Sequence, residues 1–152
     1  MKTKRPSQLE AHIGYWLRCL SNLVSHAFAA RLERHDVSVP QWVVLRCLFD
    51  LENASLNGLA EAVGVDNGAM SRMVERLSQK GLVLREADPA SRRAVRLRLS
   101  EAGRKLVPVL AGEADRNDEA FFGVIGEEER RQLLATVRML LERNGFQGKA
   151  LD

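Results

Sequence analysis

Apolar residues recur at a helical spacing along most of this chain. Between Leu9 and His35 they return every three or four residues, which predicts one long first helix. A similar stripe predicts a last helix that begins after Gly126, with apolar positions at Leu133, Leu134, Val137, Leu140 and Leu141. Long helices with such stripes pack either across a two-fold axis or into a monomeric core, and the pattern alone leaves both arrangements open.

Capping residues and glycines divide the middle of the chain into four further helices. A Ser or Asp before a helix accepts a hydrogen bond from its first turn, and a glycine adopts the positive φ that ends a helix. The second helix also has Pro40 in its first turn, where a proline is well tolerated. The predicted caps are Ser38, Ser55, Asp66 and Ser100, and the predicted terminating glycines are Gly64 and Gly81.

The helix between Asp66 and Gly81 has two chemically different faces. Its apolar residues fall at i, i+3, i+4 and i+7 and are predicted to face a core. The other face carries short hydrogen-bonding side chains and arginines, the groups that contact base edges and phosphates in a DNA major groove. An ordinary amphipathic surface helix has the same pattern and stays open as an alternative. The apolar positions are Met70, Met73, Val74 and Leu77, and the polar positions are Asn67, Ser71, Arg72, Arg76 and Gln79.

After Gly81 the apolar period changes from helical to alternating. The segments LVLREAD (82–88) and AVRLRLS (94–100) predict two strands with one buried face, joined by a polar turn that carries Arg92 and Arg93. Two short helices followed by a basic-tipped hairpin predict a winged helix-turn-helix, whose wing reaches the minor groove or its phosphates. A solvent-exposed hairpin without a ligand is the simpler alternative.

Charge is concentrated in the same part of the chain. The net charge is +3, but residues 71–105 hold ten Lys or Arg and four Asp or Glu, which gives +6 there and −3 elsewhere. A compact basic region on a slightly acidic body favours a directed contact with a polyanion. A solvated charged face, a protein-interaction module that binds an acidic partner and an RNA-binding winged helix remain alternatives.

The sequence lacks the motifs that are typical of other functional classes. The chain has no phosphate-binding Gly-rich loop, no Cys/His metal set and no recognisable nucleophile–base pair, so we predict no catalytic residue, no metal and no cofactor. No apolar run approaches the roughly 18 residues that span a bilayer, and the N-terminus lacks the apolar core of a signal peptide. With 152 residues and two cysteines, a single cytoplasmic domain without a membrane contact is expected.

The ordered set of motifs resembles the MarR family of bacterial transcriptional regulators. The resemblance covers about Leu9 to Gly145. Each motif is weak alone, but the complete order with its wing is specific. Two positions depart from the family pattern: Ser91 stands where an acidic residue is usual, and Val39 where Thr or Ser is usual. The motifs are PQWxVL (40–45), LAE (59–61), DxGxxSRMVxRL (66–77), KGLVxR (80–85), DPxxRRA (88–94) and LSxxG (99–103).

The resemblance implies a mainly α fold: a winged helix-turn-helix with a two-stranded β wing and long N- and C-terminal dimerisation helices. Residues 1–152 form a single domain, with the DNA-binding lobe at 38–103 and the dimerisation helices at 9–35 and 104–145. The implied function is that of a homodimeric repressor that a small-molecule effector releases from a near-palindromic DNA operator, and an oxidant-sensing thiol regulator is the alternative. The implied DNA-binding residues are Asn67, Ser71, Arg72, Arg76, Arg92 and Arg93.

An effector pocket is expected between the dimer helices and the DNA-binding lobe. Candidates near it are His12, Trp16, Trp42 and Arg46, although core packing is the favoured role of both tryptophans. A small aromatic acid or phenol is the expected effector. The reactive cysteine of the peroxide-sensing branch falls near Gly14 in this chain, so Cys19 and Cys47 are instead expected to be buried structural thiols.

Overall fold

Six helices and a small sheet make up the computed structural model, which describes residues 5–91 and 93–149. This is the mainly helical winged fold that the sequence predicts. The sheet is antiparallel with the strand order β1-β3-β2. Within the described residues, no helix combines the length and the apolar character that a membrane-spanning segment needs. In chain order the elements are α1 Ile13–Glu33, α2 Val39–Leu51, β1 Ala54–Ser55, α3 Leu56–Val63, α4 Asn67–Gln79, β2 Val83–Ala87, β3 Val95–Leu99, α5 Glu101–Phe122 and α6 Glu127–Arg143.

The predicted capping residues begin the helices as expected. The Oγ of Ser38 accepts a hydrogen bond from the backbone N–H of Gln41, and the Gln41 side chain accepts one from the Ser38 N–H, so α2 starts in a capping box. The helix therefore begins at Val39, one residue before Pro40. The side chains of Ser55, Asp66 and Ser100 each accept a backbone N–H from the first turn of α3, α4 and α5, without the reciprocal bond of a capping box.

The structure differs from the sequence prediction in two details. The first helix is not continuous from Leu9 to His35: a short 3₁₀ turn, Leu9–Ala11, precedes it, and extended backbone at His12 separates that turn from α1. The wing sheet has a third strand, because the two residues of β1 pair with Leu97 and Arg96 of β3. So short a strand has no periodicity of its own, and it forms because β3 supplies a partner.

The hydrophobic core lies within the lobe that carries the helix-turn-helix. It joins the apolar stripe of α4 to α2, α3, β3 and the first half of α5. Burial of this stripe fixes which face of α4 remains in solvent. The core includes Leu45, Leu48, Leu59, Val63, Met70, Val74, Leu77, Leu97, Val107 and Leu110.

A buried carboxylate fastens α1 to α5. Glu113 of α5 accepts hydrogen bonds from Arg116 at 3.0 Å, His35 at 3.2 Å and Arg31 at 3.5 Å. The bond from Arg116, then that from His35, holds the pKa of Glu113 well below its ordinary value, at about 2. Glu113 therefore stays ionised at all physiological pH values and keeps its contacts with the C-terminal end of α1.

Both cysteines differ from the sequence expectation. Cys19 in α1 and Cys47 in α2 are half-buried rather than buried. Burial raises the pKa of the Cys47 thiol, and Asp50 adds to this effect while Arg46 opposes it. A raised pKa lowers the fraction of reactive thiolate, so the environment of Cys47 does not favour oxidant sensing.

Gly103 is the closest contact between α5 and the start of the wing. A Cβ at this position would lie 2.2 Å from the backbone carbonyl oxygen of Leu82, which a side-chain rearrangement cannot relieve. Gly103→Ala is expected to lower the free energy of unfolding by about 1–3 kcal/mol in urea titrations. Gly112→Ala in the same helix is the matched control, because its Cβ would meet only the flexible Arg116 side chain, at 3.7 Å. Gly112→Ala is expected to raise the free energy of unfolding by up to about 1 kcal/mol, because alanine has a higher helix propensity than glycine. Equal losses of stability in both variants would contradict the close contact at Gly103.

Candidate nucleic-acid interface

Helices α3 and α4 form a helix-turn-helix around a glycine turn. Gly64 ends α3 with φ 89° and ψ 32°, a left-handed conformation that suits glycine. The Oδ1 of Asp66 then accepts a hydrogen bond from the backbone N–H of Ala69 at 2.8 Å and starts α4. The first residues of α4, Asn67 and Gly68, are exposed.

Helix α4 presents its predicted polar face to solvent. Met70, Val74 and Leu77 are fully buried, and Met73 packs half-buried against the same core. The opposite face carries the candidate DNA-binding residues of this helix: Asn67, Arg72 and Arg76 are exposed and Ser71 is half-buried. The structure therefore brings these four residues onto one surface.

The N-terminal end of this surface contains a polar contact that sequence reasoning missed. The Nδ2 of Asn67 donates to the Oδ1 of Asn57 in the first turn of α3 at 3.2 Å. Arg72 folds back toward the same end, since its Nη1 lies 3.5 Å from the place that a Cβ of Gly68 would occupy. Asn57 thus helps to hold the entry side of α4, and no local pattern in the sequence pointed to this contact.

Two arginines of β3, Arg96 and Arg98, are engaged by carboxylates on the same face. The Arg98 guanidinium contacts the Oε1 of Glu86 through Nη2 at 2.6 Å, and Nε of Arg96 lies 3.4 Å from Oδ2 of Asp88. These diagonal cross-strand pairs stiffen the hairpin. Within the described residues, Arg72, Arg76 and Arg93 form no ion pair, so their charges are available to a polyanion.

The wing tip is organised by Asp88 and Ser91. The Oδ1 of Asp88 accepts a hydrogen bond from the Ala90 N–H at 2.9 Å, and this bond, with Arg96, keeps the pKa of Asp88 below its usual value. The Ser91 hydroxyl accepts the backbone N–H of Arg93 at 3.4 Å rather than its guanidinium. Arg93 is exposed, and the predicted contact residue Arg92 lies outside the described residues.

The four candidate effector residues lie on two helices or beside them. His12 and Trp16 are exposed at the start of α1, where the indole N–H donates to the Glu10 carbonyl oxygen at 3.0 Å. Core packing is therefore wrong for Trp16, which is 56% exposed, whereas Trp42 of α2 does pack against the core. Arg46 lies one turn after Trp42 and contacts Asp50 at 2.6 Å.

Two clefts are present elsewhere on the described surface. One, of about 470 Å³, lies between α5 and α6 and is lined by Phe122, Leu133, Leu134 and Val137 with charged residues at its rim. The other, of about 480 Å³, lies where α1, α2 and the end of α4 meet. Neither cleft is lined by the four candidate effector residues.

A helix-turn-helix with an open cationic face, followed by a basic-tipped hairpin, defines a winged helix-turn-helix DNA-binding protein. The MarR family model matches residues 37–95, from the start of α2 to the start of β3. Transcriptional regulator HosA of Escherichia coli O111:H- is 30% identical over 109 residues, covering 72% of this chain and 81% of that relative. The chain belongs to the MarR family and is a transcriptional regulator rather than an enzyme.

Two solved structures have the same fold. Bordetella bronchiseptica BpsR, whose DNA binding is regulated by 6-hydroxynicotinic acid, is 27% identical with a TM-score of 0.75, over 89% of this chain and 96% of that one. CouR from Rhodococcus jostii RHA1, solved bound to p-coumaroyl-CoA, is 25% identical with a TM-score of 0.73, over 89% and 95% of the two chains.

Proposed function

We propose that this protein is a homodimeric repressor that binds a near-palindromic operator and is released from it by a small aromatic or phenolic effector. The observation that carries the proposal is that one chain has two different exposed surfaces. One is the open cationic face of α4 and the wing tip, and the other is the exposed apolar face of α1 and α6. The first suits duplex DNA and the second suits another copy of the chain.

Exposed apolar side chains on α1 and α6 support the homodimer. Ile13 is 77% exposed, Leu23 61% and Leu134 51%, although each belongs to a regular helical stripe. Helix α6 also borders the apolar cleft of about 470 Å³. Exposed apolar stripes of this kind are typical of a protein interface, and a two-fold dimer would bury the same stripes on both subunits.

The contacts proposed for α4 follow from its exposed face. Arg72 and Ser71 lie in its N-terminal half and are assigned to base edges or the adjacent phosphates, with Asn67 at the entry. Arg76, one turn later, is assigned to phosphate. Arg93 and Arg92 of the wing are assigned to the neighbouring minor groove, where a narrow A·T-rich segment attracts arginine.

The chemistry of the effector is proposed from the two structural relatives. BpsR responds to an aromatic acid, and the ligand of CouR carries a phenolic acyl group. In this chain His12, Trp16, Trp42 and Arg46 remain the proposed effector residues. A thermal-shift screen of aromatic acids and phenols tests the assignment, because a ligand that binds only the folded protein raises the Tm. Loss of that shift in Arg46→Ala, but not in Arg138→Ala, would support the site.

A gel shift with the duplex upstream of the protein's own gene tests the operator contact. Retardation that survives excess unrelated duplex and excess RNA is the expected result. Competition by RNA would instead favour the RNA-binding alternative. Failure to bind any duplex, together with capture of an acidic protein, would favour the interaction-module alternative.

If the wing contacts DNA, removing the Arg93 charge changes how operator affinity depends on salt concentration. Arg93→Ala is expected to lower the log–log slope of operator affinity against salt by about 2, because a dimer would carry two wings and each would lose one phosphate-neutralising charge. Arg98→Ala is the matched control, since Glu86 already engages that guanidinium, and its slope should stay close to that of the wild type. An unchanged slope in Arg93→Ala would mean that this wing does not contact DNA.

A further inference from the structure

The C-terminal end of α4 is tied to the junction between α1 and α2 by a lysine. Lys80 follows α4 directly, and its Nζ donates to the backbone carbonyl oxygen of Asp36 and, at 3.2 Å, to the Oε1 of Gln41. The same ammonium lies 3.4 Å from the Oδ2 of Asp36. Unlike Arg72 and Arg76, this cation is therefore already satisfied within the chain.

The junction between α1 and α2, which accepts the hydrogen bond from Lys80, has a positive φ at a residue other than glycine. Asp36 has a φ of 55°, and the N–H groups of Asp36 and Val37 bond to the carbonyl oxygens of Glu33 and Leu32. This is a Schellman motif with an aspartate at the left-handed position, where glycine is usual. The conformation turns the Asp36 carbonyl oxygen toward the end of α4, while Leu32 and Val37 anchor the motif in the core.

Gln41 is the second acceptor and is largely buried, at the wall of the cleft where α1, α2 and the end of α4 meet. It is only 9% exposed, so it has no access to DNA. Its Oε1 accepts both the Ser38 N–H of the capping box and the Nζ of Lys80. One buried oxygen thus joins the start of α2 to the end of α4.

We propose that Lys80, Gln41 and Asp36 form a latch that sets the orientation of α4 on the DNA-binding lobe. Within the described residues, α4 packs most closely against α3 and β2 through its single apolar stripe. A stripe of this kind resists separation more strongly than it resists a small rotation about the helix axis. The latch adds a directional polar contact at the end of α4 that is remote from Asn67, and it also attaches α4 to the junction that continues from α1.

The latch gives Lys80 the role of positioning α4. This role differs from a direct contact between the Lys80 ammonium and a DNA phosphate. Orientation of α4 decides where Arg72 lies relative to the second such helix of a dimer, and hence which half-site spacing fits. The inference rests on the proposed operator contact of α4. Substitutions at Gln41 separate the two roles, because this side chain is buried and acts only through its partners.

The test compares three variants of the full-length protein on DNA selected by the wild type from random duplexes. Gln41→Leu removes both acceptor functions, whereas Gln41→Glu keeps them and offers Lys80 a carboxylate. Ser38→Ala is the matched control, because it breaks the other half of the α2 capping box and leaves the Lys80 contacts in place. Affinity is measured on the selected operator and on one lengthened by a single base pair between its half-sites.

Gln41→Leu is expected to weaken binding to the selected operator about tenfold and to reduce the preference over the lengthened operator. Ser38→Ala and Gln41→Glu should retain that preference. Equal losses on both operators in Ser38→Ala and Gln41→Leu, with the preference unchanged, would overturn the latch, because they would reflect helix stability alone.

Hydrogen exchange provides a readout that needs no DNA. The backbone N–H groups of Lys80, Gly81 and Leu82 bond to carbonyl oxygens of the last turns of α4. These amides should exchange faster in Gln41→Leu than in Ser38→Ala if the latch holds the end of α4, and equal exchange would overturn it. Because this outcome does not depend on an operator, it is distinguishable from failure of the proposed DNA contact.

Discussion

Leu134→Asp in α6 is expected to convert the protein to a monomer and to weaken operator binding by at least about a hundredfold. Leu134 is 51% exposed in the single chain and lines the apolar cleft between α5 and α6. The new aspartate carboxylate would lose its hydration when this face is buried in a dimer, which is strongly unfavourable. A monomer contacts one half-site and loses the gain from joining two binding modules, typically a factor of about 100 to 10,000.

Leu51→Asp is the matched control for this substitution. Leu51 is 48% exposed at the end of α2, in the DNA-binding lobe rather than on the proposed dimer helices. Light scattering measures the mass of each variant, and circular dichroism checks that the helices persist. A dimeric Leu134→Asp protein would contradict the proposed α6 interface. A monomer that binds the full operator as tightly as the wild type would contradict the proposed gain from dimerisation.

Arg72→Ala is expected to cost about 1–3 kcal/mol per half-site and to flatten the base preference of the operator. The guanidinium lies on the exposed face of α4, folded over its first turn, and forms no ion pair within the described residues. Because a dimer presents two copies, the loss on a complete operator should be roughly twice the loss on one half-site. Competition binding against a set of single-base operator variants measures both effects.

Arg76→Ala provides the comparison within the same helix. Arg76 lies one turn farther along α4 and is assigned to phosphate, so its loss should weaken binding to all sequences about equally. Arg138→Ala, in the exposed part of α6, controls for a change in net charge. Equal and sequence-independent losses for Arg72→Ala and Arg76→Ala would show that a different face of α4 meets the bases.

Local sequence signals predicted most of the fold. The caps at Ser55, Asp66 and Ser100 and the glycine turn at Gly64 are formed by atoms only a few residues apart, so the sequence carries them directly. The apolar stripe of α4 also specified its buried face, and with it the exposed positions of Arg72 and Arg76.

Contacts between distant residues were not predictable in the same way. Lys80 meets Asp36 across 44 residues, and Glu113 meets Arg31 across 82. Such pairs depend on how whole helices pack, and no local pattern encodes that packing. The two-residue strand β1 was missed for the same reason, because its pairing partner β3 lies some forty residues later.

The wing turn shows the effect of the departure from the family pattern at Ser91. Ser91 stands where that pattern has an acidic residue, so position 91 supplies no carboxylate to the Arg93 side chain. In the structure Asp88, three residues earlier, supplies the carboxylate of the turn and pairs with Arg96. The hydroxyl of Ser91 instead accepts the backbone N–H of Arg93, while the Arg93 side chain stays exposed.

Selection of bound DNA from a pool of random duplexes tests the central claim most directly. The account predicts enrichment of an inverted repeat whose half-site centres lie about 10 base pairs apart, since two copies of α4 would enter successive major grooves on one side of the duplex. Enrichment of a single, non-repeated motif, or no enrichment above the starting pool, would contradict a dimer that reads its operator through α4.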